Sequence, residues 1–183
     1  MPVRLFIAIS LDEHILDAVG AMQEELRRNR VRGNFTKTEN LHLTLAFIGE
    51  YGDPDRVLDA LRPLRFEPMQ LRLEGFGSFG DLYWCGLAKN EELAGCVRRL
   101  RRALSESGIP FDRKRFAPHI TLLRRAVCAG MPGVTVPQAS MTAERISLFR
   151  SDRGKSGMIY TELGSVYAEA HETPGDTLFR EPV

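Results

Sequence analysis

Short runs of apolar residues along the chain predict strands, and several of these runs alternate with polar positions. The first run, RLFIAIS at residues 4–10, is continuously apolar and predicts a buried strand. MQLRLEGF at 69–76 alternates as a half-buried strand does, and LYWCGLA at 82–88 predicts another. Two further strands are predicted over ERISLFRS at 144–151 and MIYTELGSVYAE at 158–169.

Between these runs, apolar residues recur three or four positions apart, which is the spacing of one face of a helix. Leu11–Arg30 shows this spacing and predicts a helix with Asp12 as its N-cap. A second helix is predicted over Pro54–Pro63, because proline is favoured at the first helical position. A third is predicted over residues 91–107, capped by Asn90.

The order of these elements predicts the fold class. Strands and helices follow one another as β-α-β-α-β and then β-α-β-β-β, in two rough halves. Strands that return by hairpins favour antiparallel sheets with helices packed on one face, so we predict an α+β fold. The 183 residues suit one domain, which we expect to extend over residues 1–183. No apolar stretch reaches transmembrane length, so we expect no membrane partner.

The glycine-rich stretch GFGSFG at residues 75–80 matches the GxGxxG pattern of dinucleotide-binding sites. A dinucleotide site needs a helix that begins at the third glycine, and none is predicted there. We therefore expect this stretch to be the connection of a hairpin.

The cysteines and the charged residues indicate the protein's location and the chemistry of its ligand. Three cysteines without a CxxC motif imply no disulfide framework and predict a reducing, cytoplasmic location. Acidic residues follow the first apolar run directly, so we interpret that run as a strand and not as a signal peptide. Of the 25 basic residues 21 are arginine, whose planar guanidinium group suits phosphate.

Two of the apolar runs contain a histidine and a threonine two residues apart. His42 and Thr44 lie in NLHLTLAFIGE, and His119 and Thr121 lie in APHITLLRR, 77 positions later. Because successive side chains of a strand point to opposite faces, each pair shares one face while its apolar neighbours anchor the other. Each pair thus offers an imidazole and a hydroxyl from a stiff backbone.

Half of the chain's four histidines occur in this context, which argues against coincidence. His14 and His171 lack the context and are expected at the surface. Two imidazoles on opposite sides of a reacting group can act as acid and base, and hydroxyls can donate to phosphate oxygens. A phosphodiester needs these groups. No HxH or HExxH motif occurs, so we expect no metal and no cofactor.

With both motifs the sequence resembles the 2H phosphoesterases, a family named for two His-x-Thr/Ser-x motifs. It looks most like the bacterial RNA 2′,3′-cyclic phosphodiesterases, also called 2′-5′ RNA ligase-like proteins. The RLFIAI opening, ENLHLTLAFIGE, the GFGSF turn before LYWCGL, and RFAPHITLLRR match that branch in order and spacing. The resemblance implies two lobes, each an antiparallel sheet backed by helices. A pseudo-two-fold axis would relate the lobes, with the motifs lining the cleft between them.

The resemblance also implies a role for each residue of the motifs. His42 would be the proton donor to the departing 3′ oxygen, and His119 would be the proton acceptor that activates water. Thr44 and Thr121 would hold the phosphate oxygens. The substrate would be RNA or an oligonucleotide with a 2′,3′-cyclic phosphate end, and the product a 2′-phosphate. A monomer without metal is expected.

Two neighbouring arginines compete for the phosphate. In the family an arginine often follows five residues after the second histidine, and Arg124 holds that place here. Strand alternation instead places Arg125 on the face of His119. Both arginines are therefore candidates for substrate binding.

Three other functions stay open from the sequence. The first is 2′-5′ RNA ligation, the reverse chemistry with the same residues, and the product distinguishes it. The second is a non-catalytic RNA- or nucleotide-binding module, which loss of either histidine would have favoured, although both are present. The third is a metal site built from histidines, which would need more ligands nearby.

Overall fold

The computed structural model of the protein describes residues 1–169, which form nine strands and three helices of an α+β fold. The strands are β1 (Val3–Ser10), β2 (Arg32–Phe35), β3 (His42–Tyr51), β4 (Met69–Phe79), β5 (Leu82–Leu87), β6 (His119–Val127), β7 (Ser140–Ala143), β8 (Arg145–Gly154) and β9 (Gly157–Tyr167). The helices are α1 (Glu13–Arg28), α2 (Pro54–Leu61) and α3 (Glu91–Glu106), and a short 3₁₀ turn covers Thr38–Asn40.

The strands run in the order β7-β4-β5-β6-β3-β1-β8-β9, with β2 also paired to β6. All of these pairs are antiparallel. We call β3, β1, β8 and β9 the first lobe, and β6, β5, β4 and β7 with β2 the second lobe. The lobes join where Leu43 of β3 pairs with Ile120 of β6. The predicted α+β fold with two antiparallel lobes is confirmed.

The lobes do not coincide with the two rough halves of the sequence. The late strands β8 and β9 return to the first lobe, where β8 pairs along β1. β1 is almost completely buried, because its apolar residues need a neighbouring strand on both edges and cover on both faces. β3 provides one neighbour and β8 the other.

The predicted helix starts are observed. Asp12 accepts a hydrogen bond from the amide of Ile15 at 2.9 Å, and Asn90 accepts one from Leu93 at 2.9 Å. Pro54 stands at the start of α2. The helices end one or two residues before the predicted positions, where the last turns give way to loops.

Each long helix leaves one lobe and packs on the other. α1 follows β1 of the first lobe and packs against β6 and β7 of the second. α3 follows β5 of the second lobe and packs against α2 and β3, on the first lobe. The buried residues form one hydrophobic cluster that includes both helices and both lobes. The crossing helices therefore tie the lobes together.

Two strands were missed, and one connection is shorter than predicted. β2 and β7 have four residues each, which is short for a pattern to be recognised. β2 is also polar and exposed, so it shows no alternation of apolar and polar positions. The glycine-rich stretch at residues 75–80 lies mostly inside β4, and only Gly80 and Asp81 form the hairpin turn. Gly80 has φ 59°, a conformation that glycine adopts without strain.

The remaining sequence predictions concern side chains and extent. His14 is exposed, whereas His171 lies outside the described residues. Cys85, Cys96 and Cys128 are free thiols. Over residues 1–169, no helix is both long and apolar enough to cross a membrane. The single domain over 1–183 stays a prediction, because residues 170–183 are not described.

Gly86 of β5 should be important for the packing of the sheet. A Cβ added at Gly86 would lie 2.6 Å from the backbone oxygen of Glu74, which cannot move aside cheaply. We expect Gly86→Ala to lower the free energy of unfolding by about 1–3 kcal/mol, measured by denaturant titration. The control Gly20→Ala, in α1 with nothing within 4 Å of the added atom, should raise it by about 0.5–1 kcal/mol. Equal effects at both positions would contradict this account of the packing.

Candidate active site

The two His-x-Thr motifs begin strands β3 and β6, and both obey the predicted alternation. The histidine and threonine of each motif are half-buried, on the face that opens to the cleft. The apolar residues between and after them are fully buried: Leu43, Leu45, Ile120 and Leu122. Each motif is thus fixed from behind by the core.

The pairing of the two motif strands brings the motifs together. Since Leu43 pairs with Ile120 in antiparallel register, His42 stands opposite Thr121, and Thr44 stands opposite His119. The two histidines are then diagonal neighbours, which in a sheet are roughly 7–8 Å apart. This separation leaves room for a phosphate group between the imidazoles.

The backbone orients both imidazoles in the same way. Nδ1 of His42 lies 2.6 Å from the carbonyl oxygen of Asn40, and Nδ1 of His119 lies 2.7 Å from that of Ala117. A carbonyl oxygen can only accept, so each Nδ1 carries a hydrogen and donates it. Nε2 is therefore the nitrogen of each ring that is available for proton transfer.

The two imidazoles differ in their surroundings. Nε2 of His42 lies 2.9 Å from Oγ1 of Thr44, and the rings of Phe6 and Tyr160 pack against His42 with centroids 4.9 and 5.3 Å away. His119 has the edge-on ring of Phe79 at 5.1 Å. These three aromatic residues were not predicted from the sequence, because nothing in the motifs indicates them.

Burial and nearby positive charge make His42 harder to protonate. Burial is the largest cause that lowers the pKa of His42 below its ordinary value, and Arg124 and His119 lower it further. The carbonyl of Asn40, which accepts from Nδ1, opposes these effects. Arg124 and His42 line the same cavity.

Two cavities flank the motifs. The His42-side cavity has about 590 Å³ and is lined by Phe6, Arg153 and Tyr160, among others. The His119-side cavity has about 610 Å³, and Phe79, Lys114 and Phe116 are among its lining residues. Three residues line both cavities: Thr44, Phe47 and Arg124. These three side chains mark the centre of the cleft.

Of the two candidate arginines, the structure turns Arg124 towards the cleft. Both side chains are exposed, but Arg124 lines both cavities, whereas Arg125 lines neither and has φ 55°, which departs from strand geometry. The prediction from strand alternation that Arg125 lies on the face of His119 was wrong. Which arginine binds substrate stays a prediction.

A bulge explains why alternation fails at this point. Thr121 and Leu123 pair with adjacent residues of β5, so Leu122 is an extra residue in β6. One extra residue moves every following side chain to the other face of the sheet. Leu123 is accordingly buried, and Arg124 takes the face of His119.

Thr121 is placed less centrally than Thr44. It shares the face of His119 and is half-buried, but among the described residues it lines neither cavity. Residues 1–169 contain no group of three or more His, Cys, Asp or Glu side chains arranged to hold a metal ion. The expected absence of a metal requirement stays a prediction.

Both the sequence and the fold are similar to those of known proteins. Residues 12–155 match the family model of the 2′-5′ RNA ligase superfamily. An RNA 2′,3′-cyclic phosphodiesterase from Methanothermobacter thermautotrophicus is 31% identical over 182 residues, covering 89% of this chain and 97% of that protein. The chain belongs to the 2′-5′ RNA ligase superfamily. The resemblance to the 2H phosphoesterases is thereby confirmed.

Other members of the superfamily agree with this assignment. An RNA 2′,3′-cyclic phosphodiesterase from Thermotoga maritima is 27% identical over 176 residues, covering 88% of this chain and 93% of that protein. The crystal structure of E. coli LigT complexed with 3′-AMP superposes with a TM-score of 0.81 at 25% identity, covering 93% and 100% of the two chains. The bilobal α+β architecture is therefore that of a solved superfamily member.

The charge of Arg124 can be detected at His42. Arg124→Met removes one of the positive charges that lower the pKa of His42, so that pKa should rise. Arg125→Met should leave it unchanged, because Arg125 lies outside both cavities. NMR titration of the His42 imidazole in the ligand-free protein measures both. A shift in the pKa of His42 with Arg125→Met, and none with Arg124→Met, would contradict this placement of the two arginines.

Proposed function

We propose that this superfamily member is an RNA 2′,3′-cyclic phosphodiesterase, which hydrolyses a terminal 2′,3′-cyclic phosphate to a 2′-phosphate. The observation that carries the proposal is the matched pair of imidazoles. Both are fixed through Nδ1 by a backbone carbonyl, and both present Nε2 to one cleft. Relatives that carry this activity in their names, at 27% and 31% identity, support it.

His119 is the proton acceptor. Because its Nδ1–H donates to the carbonyl of Ala117, neutral His119 has its lone pair on Nε2. A water molecule beside Nε2 gives up a proton as its oxygen attacks phosphorus. The new bond is the one between phosphorus and the water oxygen, and the proton stays on the imidazole.

His42 is the proton donor. In its protonated form both ring nitrogens carry hydrogens, so Nε2 can donate to the 3′ oxygen as the bond between phosphorus and that oxygen breaks. Burial and Arg124 lower the pKa of His42 in the free protein. The negative charge of a bound cyclic phosphate favours the protonated form and opposes both effects.

Three further side chains hold the phosphate. Arg124 and Thr44, which line both cavities, donate to the non-bridging oxygens, where negative charge gathers during attack. Thr121 donates from the opposite strand, beside His42 in the register of the motif strands. The planar guanidinium group of Arg124 suits two oxygens at once.

The surroundings of the cleft support RNA as the substrate. Aromatic rings line both cavities, and bases of single-stranded RNA stack on such rings. Lys114, Arg115 and Arg153 add positive charge for the RNA backbone. We further propose that the protein acts as a monomer in the cytoplasm, since one chain supplies both histidines and its thiols are free.

A second candidate function, 2′-5′ RNA ligation, is favoured by the presence of two cavities. A cyclic phosphate end needs one binding cavity for its own nucleoside. The other cavity, beside His119, has about 610 Å³ and can admit a second RNA end in place of water. His119 would then take the proton from a 5′ hydroxyl, and the product would be joined RNA.

The proposal is tested with RNA that ends in a 2′,3′-cyclic phosphate, incubated with protein dialysed against EDTA. We expect a 2′-phosphate product, because no step requires a metal ion. His42→Ala and His119→Ala should each lower the rate by roughly 10²- to 10⁴-fold, the usual contribution of one proton-transfer group. The control His14→Ala removes an exposed histidine and should keep the wild-type rate.

Three results of this assay would count against the proposal. Activity that is lost on dialysis and restored by a divalent metal would contradict the two-histidine mechanism. Near-native turnover by either variant would remove that histidine from it. Joined RNA as the main product, with an acceptor end present, would make ligation the primary function.

A further inference from the structure

Both motif strands carry a one-residue bulge directly after the threonine of the motif. On β3, Thr44 and Ala46 pair with adjacent residues of β1, so Leu45 is extra. On β6, Leu122 takes the equivalent place. Both extra residues lie three positions after their histidine. The two lobes therefore repeat the same irregularity at the same point.

The bulges decide which side chains face the cleft. Phe47 and Arg124 are each the fifth residue after a motif histidine, and both line both cavities. In an unbroken strand, that position would share the buried face of the leucines. The centre of the cleft thus depends on both bulges being held in place.

A helix side chain binds the backbone of each bulge. Arg101 of α3 donates from Nε at 3.3 Å and from Nη2 at 3.1 Å to the carbonyl oxygen of Leu45. Gln23 of α1 donates from Nε2 at 2.9 Å to the carbonyl oxygen of Leu122. A bulge takes its extra residue out of the regular ladder, and a buried carbonyl needs a donor. Arg101 supplies that donor to Leu45. Gln23 supplies a second donor to Leu122, whose carbonyl oxygen also accepts from the backbone amide of Thr36 at 2.9 Å.

The same two side chains also reach the other motif. Nε2 of Gln23 donates at 2.9 Å to the carbonyl oxygen of Thr36, in the segment that leads to His42. Nη1 of Arg101 donates at 2.7 Å to that of Lys114, in the segment that leads to His119. Each side chain therefore connects the bulge after one histidine with the approach to the other.

We infer that Gln23 and Arg101 are a matched pair of positioning residues for the two-histidine site. Each holds one bulge in its own register and ties it to the segment that leads to the opposite motif. Together they set which side chains face the cleft and how far apart the histidines lie. The catalytic consequence rests on the proposed function, whereas the positioning itself is a property of the ligand-free protein.

Gln23 is buried, and Arg101 is half-buried at the wall of the His119-side cavity, which fits a fixed role for both. Gln23 is only 5% exposed, although amides usually lie at the surface. Arg101 is half-buried, near the rings of Phe111 and Phe116, and burial lowers its pKa. Methionine at either position keeps much of the apolar stem and removes the donors.

Gln23 is tested through the residue that it positions. In Gln23→Met the β6 bulge loses its side-chain donor and keeps only the backbone amide of Thr36, and Arg124 should turn away from the cleft. We expect the pKa of His42 to rise, as with Arg124→Met, and kcat/KM to fall by roughly 10–100-fold. If Gln23 acts through Arg124, the double variant Gln23→Met/Arg124→Met should have the same pKa of His42 and the same kcat/KM as Arg124→Met alone. The control Gln70→Met removes an exposed amide of β4 and should change neither.

The His42 titration needs no substrate, so it separates this inference from the proposed function. An unchanged titration in folded Gln23→Met protein would overturn the role of Gln23, even if hydrolysis occurs. A rise in the pKa of His42 without any hydrolysis would retain the positioning and overturn the function. Additive effects in the double variant would also contradict action through Arg124.

Substitutions of Arg101 provide a second test of the inference, which applies even if Gln23→Met does not fold. Arg101→Met should lower kcat/KM by roughly 10–100-fold, because the β3 bulge and Phe47 lose their anchor. Arg101→Lys should recover much of that loss, since an ammonium group can still donate to Leu45. Arg102→Met, at an exposed site on the same helix, is the control. Wild-type activity of Arg101→Met, or an equal loss in the control, would overturn the role.

Discussion

The backbone pairing of Leu43 with Ile120 is the contact on which the site depends. It joins the motif strands of two lobes that otherwise carry their histidines on separate sheets. Because the pairing is antiparallel and centred between histidine and threonine, each histidine stands opposite the threonine of the other motif in the strand register. The fully buried side chains of this pair anchor the site from behind. The chemistry therefore follows from the way the sheet is closed at its centre.

The lobes are alike in backbone and different in side chains, which allows two equivalent imidazoles to do opposite work. Both have the same carbonyl contact at Nδ1. Their surroundings differ at the fifth residue, where the first lobe has Phe47 and the second has Arg124. Burial and the positive charge of Arg124 both lower the pKa of His42.

The sequence predicted what local rules determine. Alternation gave the faces of both motifs, and the residues Asp12 and Asn90 gave two helix starts. Alternation failed at Arg125 because of the bulge at Leu122, whose carbonyl oxygen accepts from Gln23, 99 positions away in the chain. The lobes also differ from the halves of the sequence, since β8 pairs with β1 across most of the chain. Such long-range partners leave no periodic signal in the residues themselves.

The pH dependence of cyclic-phosphate hydrolysis tests the central claim, that His42 gives a proton and His119 takes one, most directly. For the wild type, kcat/KM should fall on both sides of an optimum. The fall at high pH reports loss of the proton from His42, and it should begin early because the pKa of His42 is lowered. In His42→Ala the fall at high pH should disappear, and in His119→Ala the fall at low pH. Both falls persisting in both variants, or the opposite assignment of the two, would contradict the account.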